Sequence, residues 1–222
     1  PIKKNIEQVL GDKVLVSSEQ TIQDYLLSAM SGGYDVVQVP SHLALYLIDH
    51  HQFKPIVLLG SEQSGNTQVV LISSSKSNIH SIEDAAKESV VIGSPLTITT
   101  QITKNWFRQA NLTPHYIEYK DQWKVLDAVV SGREKVGSIL SMMYDRLSPP
   151  LKNKLSVVKR GDFKINGVVL AAPNLTLKRL EQVRQGLMKF KGQGHQLFQN
   201  VSIPTPSKIN KMRLLVQPYM PE

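Results

Sequence analysis

Short runs of β-branched and other apolar residues alternate along almost the whole chain with stretches whose apolar positions recur every three or four residues. Residues 13–17 (KVLVS) predict a strand. Residues 21–30 (TIQDYLLSAM) predict a helix, which Ser31-Gly32-Gly33 stops. Residues 34–39 (YDVVQV) predict a second strand. Pro40-Ser41 then opens a helix running to about Asp49, with Ser41 in the N-cap position, and residues 55–59 (PIVLL) predict a third strand. Alternation of this kind predicts an α/β fold whose sheets are mostly parallel and flanked by helices.

The rhythm breaks twice. Turn chemistry at 60–66 (GSEQSGN) leads straight into a strand at 67–73 (TQVVLIS), with no helix between it and the strand before. A second alternating series follows: a short helix at 81–87 opened by a Ser81/Asp84 capping box, a strand at 90–92, a helix at 99–110, a strand at 115–119, a helix at 122–131 and a strand at 136–140. After Pro149-Pro150, paired strands at 155–159 and 165–171 surround a turn at 160–164. Helical patterns at 176–190 and 206–215 finish the chain. Two double-strand interruptions predict two lobes: lobe A from residues 1–65 and 161–222, and lobe B from 66–160. A discontinuous lobe with two connections predicts a hinge and a ligand cleft between the lobes. Ligands of open α/β sheets lie beyond the carboxyl ends of the strands, here the loops after Val16, Val39, Leu59, Ile92, Tyr119 and Leu140.

Composition narrows the chemistry. The 222 residues are 41% hydrophobic and 20% charged, enough apolar material for real cores, and no run of about 18 apolar residues offers a membrane span. There are no cysteines, which removes disulfides, thiolate nucleophiles and Cys-ligated zinc. The net charge is +8, but Lys and Arg are scattered and do not alternate with aromatics. That pattern suits a solvated basic surface or the steering of small anions, and argues against a nucleic-acid partner. The chain starts at Pro1 rather than Met, which either removal of a leader or trimming accounts for.

The segment Gly93-Ser94-Pro95-Leu96-Thr97-Ile98-Thr99-Thr100-Gln101 carries the most chemistry. A strand ends, a Gly/Pro turn follows, then hydroxyl residues, then a helix start. Free N–H groups, the positive end of the helix dipole and several hydroxyls suit an anion. The same residues also read as a helix cap made by Thr97 or Thr99. Pro40-Ser41-His42 occupies the equivalent place in lobe A, where Ser41 either donates to a ligand or caps the helix and His42 either faces the cleft or packs. Gln122, Trp123 and Lys124 follow a strand end. Trp123 there either stacks on a ligand or packs its helix against the sheet, and Tyr144 reaches the cleft by the same logic. His50-His51 points in two directions about 100° apart on a helix and is no metal pair. No GxSxG, HExxH, P-loop or GxGxxG is present, so no catalytic residue, metal or cofactor is expected.

Four stretches in register resemble the type II periplasmic binding proteins of ABC importers, in the phosphonate/phosphite-type branch: residues 31–47 (SGGYDVVQVPSHLALYL), 71–85 (LISSSKSNIHSIEDA), 91–100 (VIGSPLTITT) and 122–132 (QWKVLDAVVSG). The resemblance implies a two-lobed solute receptor in the periplasm, monomeric, feeding an ABC permease. It implies a phosphonate- or phosphate-like ligand held by a Ser-Thr-Ser run whose places fall on Thr97, Ile98 and Thr99. Thr100 stands for a glycine of that pattern, Ser94 for an aspartate, Gln122 for a pocket histidine and Lys135 for an aspartate, departures that leave room for altered selectivity. The family begins with a strand before its first helix, and here residues 1–2 enter that helix directly, so that first strand is expected to be missing. The ligand-binding set expected on these grounds is Ser41, His42, Ser94, Thr97, Thr99, Thr100, Gln122 and Tyr144. The same fold also serves as a sensory domain of membrane sensors and regulators and as a scaffold for some lyases, and those remain the alternatives.

Overall fold

The structure is a computed structural model that describes residues 2–60, 66–164, 167–189 and 200–220. It divides into two compact units, Pro1–Gly65 with Lys164–Met220, and Asn66–Phe163. The turn expected at 60–66 and the end of the helix expected at 176–190 lie partly outside the described residues, and residues 160–164, expected to turn, are strand instead.

The first unit opens on α1 (Ile2–Leu10) and α2 (Ile22–Met30). Thr21 caps α2, its hydroxyl accepting from the Asp24 N–H at 3.1 Å. The strand expected at 13–17 does not form. Leu15 and Val16 are 93% and 76% exposed and the segment has no regular structure. Its sequence favours a strand, but a strand exists only where a neighbour supplies a ladder. Next come β1 (Val36–Pro40), α3 (Ser41–His51) and β2 (Lys54–Leu59), and, after the second unit, β8 (Gly167–Ala171), α9 (Leu177–Lys189), β9 (Val201–Ser202) and α10 (Pro206–Val216), with a 3₁₀ turn at Gln217–Tyr219.

The sheet order is β1-β8-β2-β9. β1 and β2 each run antiparallel to β8, so they are parallel to one another with β8 between them. At the edge, the N–H and C=O of Gln38 turn away from β8 to the Tyr25 hydroxyl, which accepts from the first at 3.1 Å and donates to the second at 3.3 Å. Tyr25 thus blunts the open edge, and burial pushes its hydroxyl pKa up. Ile56, Val57, Leu59, Val169, Leu180, Val183 and Leu187 form the core. α1 packs on α9 at Gly186, where an added Cβ would approach the Ile6 backbone to 3.2 Å.

The second unit holds β3 (Asn66–Ser74), α4 (Ile82–Ala85), β4 (Val90–Ile92), α5 (Ile98–Gln109), β5 (Tyr116–Glu118), α6 (Gln122–Val130), β6 (Val136–Leu140), α7 (Ser141–Asp145), α8 (Pro149–Lys152) and β7 (Leu155–Lys164). Its sheet order is β5-β4-β6-β3-β7, with β4 parallel to β5 and β6 and β3 antiparallel to β6. Every neighbouring pair of the first sheet is antiparallel, while the second sheet is mixed. β3 and β8 follow the two interruptions of the alternating series, where no crossover helix enforces a parallel return. Ser81 caps α4 as its sequence predicts, accepting from the Asp84 N–H at 3.1 Å. Val70, Ile72, Val91, Val125, Val129 and Ile139 form the core. Gly137 lets α6 close on the sheet: a Cβ there would meet Val125, Val129 and Val91 at 2.9 Å each.

Candidate functional site

β4 ends at Ile92 and the chain turns through 93–97 into α5, so the hydroxyl run lands on a helix start at the carboxyl end of a parallel strand. Thr97 is the N-cap residue by position, yet its side chain makes no cap hydrogen bond. Its hydroxyl turns back into the loop, within donating distance of the Ser94 carbonyl (2.8 Å) and the Thr100 hydroxyl (3.1 Å). Thr100, fully buried, donates to the Gly93 carbonyl at 3.1 Å. Gln101 closes the loop from the helix side, its Nε2 donating to the Pro95 carbonyl at 2.6 Å. The loop is therefore held by its own side chains, and no side chain of the turn is spent on capping α5.

Gln122, the first residue of α6, ties this turn to the next strand. The Leu140 N–H donates to Gln122 Oε1 at 3.0 Å, which fixes the amide so that Nε2 donates to Thr99 Oγ1. Thr99 is thereby an acceptor toward Gln122 and keeps its own proton. Among the described residues no hydrogen bond has that hydroxyl as donor. Behind it, Thr103 donates to the Thr99 carbonyl at 2.8 Å, so the 2.5 Å contact between Thr103 and Ser138 has Ser138 as donor. The side chains of this network are hydroxyls and carboxamides alone. It carries donors in the form of dipoles and helix-start N–H groups, and no charged side chain.

Six of the eight expected site residues can be placed around such features. Ser94, Thr97, Thr99, Thr100 and Gln122 are brought together in the second unit. Ser41 stands at the start of α3 in the first unit, where it is the first helical residue and not the cap. Pro40, with φ near −61° and extended ψ, holds the cap position without a side-chain bond. The Ser41 hydroxyl is buried with no hydrogen-bond partner among the described residues. The other two are engaged in packing. His42 is fully buried within its unit. Tyr144, on α7, packs against the second unit's core, with Lys152 Nζ and the Arg160 guanidinium carbon each 5.7 Å from its ring centre. Arg160 is held there by Asp145 at 3.0 Å and Gln68 at 3.2 Å.

Sequence reading placed Gln101 in the turn without a role and passed over Thr103 and Ser138. Their signal is polar residues at the buried positions of α5 and β6, where a packed face would otherwise be apolar. Elsewhere in the unit, burial pushes the Tyr116 hydroxyl on β5 up to about 12. Among the described residues no group of His, Asp and Glu could hold a metal ion, and no helix is long and apolar enough to cross a membrane.

A family model described as the periplasmic substrate-binding protein of phosphonate ABC transporters matches residues 1–212. No curated protein matches the sequence. Among solved structures, a Xanthomonas citri protein bound to chloride superposes with a TM-score of 0.78 at 11% identity, over 98% of this chain and 88% of that one. A binding-protein component of a phosphonate ABC transporter from Pseudomonas aeruginosa gives 0.76 at 15% identity, over 96% and 78%. PhnD1 of Prochlorococcus marinus, in complex with methylphosphonate, gives 0.73 at 10% identity, over 97% and 89%. These likenesses show the fold.

Proposed function

The chain belongs to the family of periplasmic substrate-binding proteins of phosphonate ABC transporters, a binding family and not an enzyme family, and from that membership we propose that it is an extracytoplasmic receptor for a small oxyanion of the phosphonate or phosphate kind. Its partner is then an ABC permease. One observation carries the oxyanion: Thr97, at the N-cap of α5, leaves the helix uncapped by any side chain while the turn holds itself closed. A helix start kept free in this way offers N–H donors and the positive end of a dipole. Ser94, half-buried, and the undirected proton of Thr99 add hydroxyl donors.

Recognition by neutral donors suits a ligand that must be released again, because no buried ion pair has to be broken. Thermal-shift measurements against methylphosphonate, phosphite, phosphate, methanesulfonate and acetate test the reading. An oxyanion at roughly 100 times its Kd adds about 2.7 kcal/mol of stability. Silence from all five contradicts the oxyanion reading.

A further inference from the structure

Two exposed apolar side chains follow closely on the residues that anchor the hydroxyl turn. Trp123 is the residue after Gln122, whose amide anchors Thr99, and it is 64% exposed. Met142 lies two residues after Leu140, whose N–H anchors Gln122 from the other side, and it is 49% exposed. Consecutive Cα atoms are about 3.8 Å apart, so both side chains spring from backbone within a few ångströms of the Gln122 junction.

Packing does not need either one. α6 buries Val125, Leu126, Ala128 and Val129 against its sheet, and α7 buries Ser141 and Met143. The packing role the sequence allowed for Trp123 is thus filled by the opposite side of its helix. Among the described residues Trp123 makes no ring or cation–π contact, whereas Trp106 is buried with Lys159 Nζ 5.5 Å from its ring centre. Tyr144, the other aromatic expected near the site, is committed to Lys152 and Arg160. An exposed indole is a large apolar surface left in water, and a thioether beside it is the side chain that adapts best to varied shapes.

We propose that Trp123 and Met142 form an apolar subsite beside the hydroxyl turn, which selects oxyanions carrying an aromatic or extended alkyl substituent over the bare inorganic ion. The proposal rests on the oxyanion reading of the turn. Trp123 is the specificity-determining residue, offering its face to the substituent, and Met142 fills the space around it. Neither touches the oxyanion head, which the turn holds.

Calorimetric titration with phenylphosphonate, methylphosphonate and inorganic phosphate tests it on the wild-type chain, W123A, W123F and M142A. The wild type binds phenylphosphonate more tightly than phosphate. In W123A the ratio of those two affinities falls about tenfold, W123F holds it within about threefold, and M142A lowers it by less than W123A does. The chain has two tryptophans, so emission adds a second reading: phenylphosphonate shifts the spectrum to the blue in W106F and not in W123F. A ratio unchanged in W123A, or a blue shift that survives W123F, overturns the subsite while leaving the oxyanion reading standing. A wild-type chain that binds none of the three overturns both.

Discussion

Gln122 donates from its Nε2 to the Thr99 hydroxyl, and the direction of that bond is set by Leu140, whose N–H takes up the other end of the amide at 3.0 Å. A neutral carboxamide on α6 therefore decides where a proton on α5 points. In Gln122→Glu the same position holds two acceptors and a charge. Thr99 then gives its proton to the carboxylate, and the added charge repels an oxyanion. Methylphosphonate affinity is expected to fall about 10- to 100-fold, read by calorimetry. Gln122→Met, close in shape and uncharged, is expected to weaken binding by less.

Thr100 is the keystone of the turn. It donates to the Gly93 carbonyl and stands in reach of the Thr97 hydroxyl, and it is fully buried. Thr100→Val keeps the shape and leaves the Gly93 carbonyl without its donor. Urea denaturation is expected to show a loss of about 1–3 kcal/mol. Oxyanion affinity is expected to fall with it, because the loop that presents Ser94 and Thr97 loosens.

Gly137 sits in β6 against three valines. An alanine Cβ would lie 2.9 Å from methyl groups of Val125, Val129 and Val91, all of them stiff at χ1. Gly137→Ala is expected to destabilise the chain by about 1–3 kcal/mol through overpacking, measured by chemical denaturation. Pairing it with Val125→Ala is expected to recover part of that loss.

Tyr116 supplies a pH signature. Burial raises its hydroxyl pKa from the ordinary value near 10 to about 12. A group whose folded pKa is raised contributes stability that is whole below the unfolded pKa and is lost as pH climbs through the folded one. The wild-type chain is therefore expected to lose stability between about pH 10 and 12, and Tyr116→Phe is expected to lose less over that window. The difference in denaturation midpoint between the two chains, followed against pH, checks it.

Local signals carried much of the fold. β4 and β6 form over the residues their apolar runs indicate, and the Ser81 cap is made by the side chain the sequence singles out. Residues 13–17 failed because strand propensity is local and pairing is not: Leu15 and Val16 stay in solvent, and the nearby β1 edge is closed by the Tyr25 hydroxyl at Gln38. Sheet direction was equally out of local reach, since β8 arrives from more than a hundred residues away to separate β1 from β2. At the site, the strand–turn–helix pattern placed the hydroxyl turn correctly on the start of α5. It could not show that Thr97 leaves its helix uncapped, that Gln122 reaches Thr99, or that Tyr144 is spent on two cations, because each depends on a contact between distant or oppositely turned side chains.

The most direct test of the account is calorimetric titration of methylphosphonate into the wild-type chain and into Thr97→Val/Thr99→Val, with circular dichroism to verify that both are folded. Saturable binding is predicted for the wild type, weakened about 100-fold in the double variant by the loss of the Thr99 donor and of the Thr97 hydroxyl that holds the turn closed. Binding that survives the double substitution undiminished, or no binding of methylphosphonate, phosphite or phosphate to the wild type, would contradict an oxyanion site at the start of α5.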